Sequence, residues 1–159
     1  MPERIPMTPV GYEKVLRDLR HHKEVLRPAV VRDIEEARAH GDISENSEFE
    51  DAKERQSHIE GRVLELESRL SLAQVIDITT LPKSDRVIFG ATVELEDQDT
   101  GDPVTYRIVG TEESDVRAGL VSYSSPIGRA LLGRSEGDEV KFETPKGVRT
   151  VAISAVHYR

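Results

Sequence analysis

The sequence has no cysteine and no tryptophan. Without thiols, disulfide staples, zinc ribbons, iron–sulfur ligation and cysteine catalysis are excluded. Aromatic residues make up only 4% of the 159 and the apolar set 36%. That is little for one large globular core, and it fits a chain that spends part of its length on an exposed, charged helical element. No run approaches the ~20 apolar residues of a membrane-spanning helix. Met1-Pro2-Glu3-Arg4 leads into no hydrophobic signal segment, so a cytoplasmic location is expected. Positive charge is in deficit, with 22 Lys and Arg against 30 Asp and Glu and a net charge of −8. This disfavours free, non-specific binding to nucleic acid, which needs clustered cations to neutralise phosphates.

Catalytic signatures are also missing. The chain contains no GxSxG, Walker A loop, GxGxxG or HExxH. His21, His22, His40, His58 and His157 lack metal-ligand spacing and read as solvent-facing residues. Asp97, Asp99 and Asp102 suggest a calcium loop, but the sixth and twelfth positions hold Asp102 and Ile108 instead of Gly and Glu. A hairpin turn is the better reading of that segment.

What is present divides by period. From Thr8 to about Val75 the pattern predicts two long helices. Thr8-Pro9 supplies an N-cap oxygen and a proline at the first helical position. A stripe follows at Tyr12, Leu16, Leu19, Lys23, Leu26, Val30, Ile34 and Ala37, with one extra residue near Val30. Pro28 lies inside it and should kink the helix without ending it. After Gly41–Asn46, a heptad stripe runs through Phe49, Ala52, Gln56, Ile59, Val63, Leu66, Leu70 and Ala73. A short break between long amphipathic helices predicts an antiparallel hairpin. A first helix of about 33 residues is roughly 50 Å long, which makes a narrow rod with Gly41–Asn46 at its end.

From about Leu81 the period is two. Strands are expected at Val87–Phe89, Ala91–Glu96, Val104–Val109, Leu120–Tyr123, Glu139–Phe142 and Val148–Val156, with a short helix at Ile127–Leu132. The expected fold class is α+β: residues 1–80 form an antiparallel coiled coil, and residues 81–159 form a compact domain near the lower size limit for independent folding.

The chemistry concentrates at the rod's end. Asp42, Glu45, Glu48, Glu50, Asp51 and Glu54 face a single base, Lys53. Two readings stand. Asp42 with Glu45 is a capping-box pattern, and acids suit a helix N-terminus. The alternative is a hard-cation site, since Mg²⁺ takes one or two protein carboxylates and completes its shell with waters and phosphates. Two exposed acids would hold it only when inserted into a pocket already carrying carboxylates and a nucleic-acid phosphate, where a second metal activates water.

Gly41-Asp42-Ile43-Ser44-Glu45-Asn46-Ser47-Glu48-Phe49 resembles the tip motif of the bacterial Gre transcript-cleavage factors, the GreA branch in particular. Arg27-Pro28, Ala73–Asp77, Val87–Ala91, Tyr106–Gly110 and Ser125-Pro126-Ile127 are similar to that family in the same order. The resemblance implies an N-terminal antiparallel coiled coil and an FKBP-like C-terminal domain. It implies binding to RNA polymerase, insertion of the coiled coil through the secondary channel, and stimulation of the polymerase's own cleavage of backtracked RNA. The chain would thus not be an enzyme itself. Asp42 and Glu45 would help hold a Mg²⁺ ion shared with the polymerase active site and not bound tightly by the protein alone. Arg38 and Lys53 would guide the RNA 3′ end. Ser125, Pro126 and Ile127 would contact polymerase, and the protein would act as a monomer. Lys53 stands where Arg is commoner in the family; it keeps the charge but not the planar fork. Phe49 stands where the family often has Tyr.

Three rival functions are distinguishable. A relative of the same fold that occupies the channel and inhibits would carry an altered tip, whereas Asp42 and Glu45 are both present here. A prolyl isomerase would need an aromatic-lined pocket, and the second half offers only Phe89 and Phe142 as phenylalanines; fold alone does not supply that function. A structural coiled-coil adaptor would leave the tip as a cap and would not bind polymerase.

Overall fold

The computed structural model describes residues 3–41 and 46–159. Their contacts form two compact units: Met1–Ile5 with Glu13–Ala73, and Pro6–Tyr12 with Gln74–Arg159. Among the described residues, no helix is long and apolar enough to cross a membrane.

The first unit is a helical hairpin. It takes α1 (Pro9–His21) from Glu13 onward, a π-helical turn (His22–Leu26) and α2 (Arg27–Ala39), while most of strand β1 (Ile5–Met7) and the first turn of α1 belong to the second unit. The return helix α3 spans Ser47–Leu72, about 39 Å at 1.5 Å per residue. Its heptad stripe faces inward: Ala52, Val63 and Leu66 are buried, and Phe49, Gln56, Ile59, Leu70 and Ala73 are half-buried between them.

Pro28 acts through the turn before it. Proline cannot donate to the carbonyl four residues back. The helix absorbs this by widening, and the Arg27 N–H reaches the His22 carbonyl, five residues away. A π-turn inserts one residue into the helical phase, which accounts for the extra residue in the stripe. It also corrects the stripe upstream. Val15 and Leu19 are the buried positions there, while Lys23 is exposed and pairs with Glu67 at 3.4 Å. As the residue number falls along the first strand of the hairpin, its partner's rises: Asp33 with Arg55 at 3.0 Å, Arg27 with Glu60 at 2.7 Å, Lys23 with Glu67. That order makes the pairing antiparallel.

The second helix ends at Leu72, short of the expected Val75. Ala73–Val75 forms strand β2, which pairs with β1. Thr8 caps α1 as its sequence implies, accepting from the Gly11 N–H at 3.0 Å. Its hydroxyl also donates to the buried Glu113 carboxylate.

The second unit is built on a five-stranded sheet in the order β5-β4-β3-β7-β6. The strands are β3 (Thr92–Asp97), β4 (Pro103–Val109), β5 (Leu120–Ser122), β6 (Glu139–Thr144) and β7 (Gly147–His157). All neighbours are antiparallel except β4 and β5. Val93 and Leu95 of β3 and Val151, Ile153 and Val156 of β7 point into one core with Ile78, Val87, Ile108, Val121, Leu131 and Val140. The three-residue step from Ile153 to Val156 breaks the alternation. It falls where β7 bulges against Glu94/Leu95, so that Ser154 is passed over in the register. Helix α4 (Pro126–Leu131) buries Leu131 in this core.

Val87–Phe89 is not a strand. Only Arg86 makes an isolated bridge, to Ser135, and Val87 bonds to the 133–134 backbone while fully buried. The expected turn at 97–103 is present. Asp97 points inward, and its carboxylate accepts from the Asp99 N–H at 2.8 Å, the Thr100 N–H at 3.2 Å and Arg149 Nε at 3.1 Å. The hydrogen-bonded Arg149 guanidinium, then these two backbone donors, hold Asp97 below the usual carboxylate range.

Candidate functional site

At the loop end of the hairpin, α2 closes with His40, whose N–H donates to the Ala37 carbonyl at 3.3 Å. Gly41 follows at φ +124°, a backbone conformation that side chains with a Cβ rarely adopt. Asp42 and Glu45, the expected acids, lie outside the described residues, as do Ile43 and Ser44.

The cap of α3 is Asn46. Its Oδ1 accepts from the Phe49 N–H at 3.1 Å, and its Nδ2 donates to the Ala37 carbonyl at 2.6 Å. One side chain thus satisfies a donor that the start of α3 leaves open and adds a second hydrogen bond to the Ala37 carbonyl at the end of α2. The capping duty that the sequence offered to Asp42 and Glu45 is carried by another residue. Asn is a cap-forming type, and its place just before Ser47-Glu48-Phe49 was the signal available in the sequence.

The two basic residues differ in setting. The Arg38 guanidinium lies over the Phe49 ring, 5.9 Å from its centroid. Lys53 is exposed, and its ammonium donates to Gln56 Oε1 at 3.2 Å. Nearby, a polar hollow of about 390 Å³ is lined by Asp33, Glu36, His40, Glu48, Asp51 and Arg55, among others. Its side chains are partly paired, His40 beside Glu48 at 3.4 Å and Arg55 with Asp33 at 3.0 Å. Among the described residues, no three acids or histidines converge as a metal shell would require.

In the second unit, Ser125, Pro126 and Ile127 come together on one rim. Ser125 caps α4: its Oγ accepts from the Gly128 N–H at 3.1 Å and donates to the Ser122 carbonyl at 2.6 Å. Pro126 takes the first helical position, where no N–H is needed. A Cβ on Gly128 would stand 2.1 Å from the Ser122 carbonyl oxygen, so this tight entry requires glycine. All three rim residues border a groove of about 420 Å³ whose apolar wall includes Tyr106, Val116, Val121 and Phe142.

Residues 5–75 match the family model described as "Transcription elongation factor, N-terminal", and residues 81–158 match "Transcription elongation factor, GreA/GreB, C-term". The chain belongs to the GreA/GreB family of transcription elongation factors. Within that family it falls in the GreA branch. It is 53% identical to transcription elongation factor GreA of Polaromonas naphthalenivorans, over 97% of this chain and 98% of that one. It is 50% identical to GreA of Verminephrobacter eiseniae over 98% of each, and 52% identical to that of an Anaeromyxobacter species over 98% of this chain and 93% of the relative. A solved structure of GreA factor homolog 1 from Thermus thermophilus is 30% identical and covers 98% of this chain and 99% of its own, with a TM-score of 0.43.

Proposed function

We propose that the chain binds RNA polymerase through its C-terminal unit, places the helical hairpin in the secondary channel as a monomer, and stimulates the polymerase's own cleavage of backtracked RNA so that arrested complexes resume. Membership of a family of elongation factors supports the general role. The capping of α3 by Asn46 carries the finer one. With Asn46 as its N-cap, α3 does not need Asp42 in that place, which supports a chemical role for the acids at positions 42 and 45.

Asp42 and Glu45 are the residues that would hold a Mg²⁺ ion shared with the polymerase; carboxylate oxygens are the donors this ion prefers. Bound there, the ion would supply Lewis-acid activation of the attacking water. The chain's own residues do the positioning. Arg38 and Lys53 attract the RNA 3′ end by charge. Ser125, Pro126 and Ile127 offer an apolar rim, rigid because Ser125 and Gly128 lock the start of α4, to a polymerase surface. No residue of this chain needs to act as nucleophile, base or acid, so the factor is not itself a catalyst.

The test is addition of the purified protein to a stalled polymerase–DNA–RNA complex in Mg²⁺. The expected result is endonucleolytic shortening of the RNA followed by resumed elongation. Binding without shortening would instead favour a channel-occupying inhibitor. No binding at all would favour the adaptor reading.

A further inference from the structure

We propose that Phe49 is the positioning residue for Arg38: its ring carries the Arg38 guanidinium at the loop end of the hairpin and sets where that charge meets an RNA phosphate. This rests on the reading above, in which Arg38 guides the RNA.

Three contacts and one peptide link form a closed circuit. The Ala37 carbonyl accepts from Asn46 Nδ2, Asn46 Oδ1 accepts from the Phe49 N–H, the Phe49 ring lies under the Arg38 guanidinium, and Arg38 follows Ala37 in the chain. The ring's position is therefore tied, through the Asn46 cap, to the backbone that bears the cation. Phe49 is half-buried, so its backbone and ring are held on one side while Arg38 is exposed on the other.

Arginine has many rotamers, and binding a phosphate with a free arginine freezes them. An aromatic face attracts the guanidinium by its quadrupole and reduces that freedom beforehand. At 5.9 Å from the ring centroid the cation is held by charge–quadrupole attraction, which does not use up the hydrogen bonds that its five N–H donors can offer a phosphate. Lys53 has no such support. Among the described residues its ammonium meets Gln56, and a lysine presents a point charge without a plane. The two cations thus divide the work, Arg38 as an oriented contact and Lys53 as a general attraction. Tyrosine at position 49 would serve equally, because the interaction uses the ring and not a hydroxyl.

A double-mutant cycle on stimulated RNA cleavage tests this. Phe49→Leu should lower the maximal stimulated rate by about two- to fivefold, the share expected of a surface cation–π contact. The concentration of factor giving half the effect should not change. Phe49→Tyr should restore the rate. Arg38→Gln should cost at least as much as Phe49→Leu, and adding Phe49→Leu to it should cost nothing more. In the free protein, the Arg38 Nε–H proton should resonate upfield through the ring current and move back in Phe49→Leu. If that variant lowers the thermal midpoint, Phe49→Met keeps the volume without the ring and takes its place. Losses that add in the double variant, or an Arg38 resonance indifferent to residue 49, would overturn the inference while leaving the proposed function intact. Absence of any stimulation by the unaltered chain would overturn both.

Discussion

Along the seam of the hairpin the fully buried side chains are Leu66 and Val63 farther from the loop end and Ala52 and Ala37 nearer it, with Phe49 half-buried beyond them. Its flanks carry half-exposed ion pairs such as Arg27 with Glu60. In the sheet unit one continuous cluster runs from Ile78 to Val156, and even its inward acid, Asp97, is fully satisfied. The alanines near the loop end allow two helices to approach closely there, but they bury little apolar area per residue. A layered core is stiffer, because more of each side chain is enclosed. Under the proposed function the difference divides the tasks: the hairpin would serve reach, and the packed unit would hold a surface rigid.

The sharpest test of that division is the double change Asp42→Asn and Glu45→Gln. It removes two charges at little cost in shape. If the hairpin's end exists for chemistry, stimulated cleavage should fall roughly a hundredfold or more, the equivalent of ~3 kcal/mol of barrier lowering. Thermal stability should barely move, since Asn46 holds the cap. Polymerase binding, measured by competition, should persist because the sheet unit is untouched. Normal cleavage by a folded, bound double variant would return the end of the hairpin to a structural role.

A second test attacks the seam. Ala52 is 1% exposed, and a larger side chain there has nowhere to go. Ala52→Leu should destabilise the hairpin by about 1–3 kcal/mol through overpacking. Hydrogen exchange should quicken in α2 and α3 and stay unchanged in β3 and β7. Equal quickening in both units would show that the two do not unfold separately.

The third test moves to the sheet unit. Pro126 is exposed at the start of α4, whereas Ile127 packs on the core. Pro126→Ala therefore isolates a surface contact. It should weaken polymerase binding on the order of tenfold, about 1.4 kcal/mol, with α4 still capped by Ser125. Unchanged affinity in a folded variant would separate the groove from the polymerase contact.

Most of this architecture is visible in the sequence, and what is hidden shares a cause. The heptad from Phe49 to Ala73 is legible because seven regular steps leave one solution. The β3 and β4 alternation is legible for the same reason. Strands β1 and β2 have three residues each, too few to show a period, and their pairing comes from far along the chain. Val87–Phe89 has the composition of a strand, but its backbone is spent on the 133–134 segment. Pro28 announces a disturbance without its form, since whether a helix kinks or widens depends on the partner helix. At the loop end, Gly41 to Phe49 marked a special segment, but Asn46 as two-sided clamp and the Phe49–Arg38 contact needed three dimensions. Each joins residues on different helices.

The smallest expected effect concerns acid, and it compares the two units directly. Each has a carboxylate held below its usual range by a hydrogen-bonded arginine: Glu60 by Arg27 in the hairpin, and Asp97 by Arg149 in the sheet unit. A depressed carboxylate stabilises the fold at pH above its unfolded value, near ~4. That contribution disappears as pH falls through the lower folded value, because the proton then binds both states alike. The settings differ, however. The Arg27–Glu60 pair is 36% and 45% exposed, so salt screens it and little stability is expected from it. The Asp97 side chain is 5% exposed although Arg149 is 45% exposed, and two backbone N–H donors also bind it. Asp97→Asn should therefore flatten the acid limb of the sheet unit's stability curve, in low and high salt alike. Glu60→Gln should alter the hairpin's curve slightly in low salt and not at all near 1 M. Thermal melts between pH 6 and pH 3, read separately by strand and helix amides, would show this. An Asp97→Asn curve parallel to that of the unaltered chain would mean that the buried carboxylate contributes no more than the exposed Glu60.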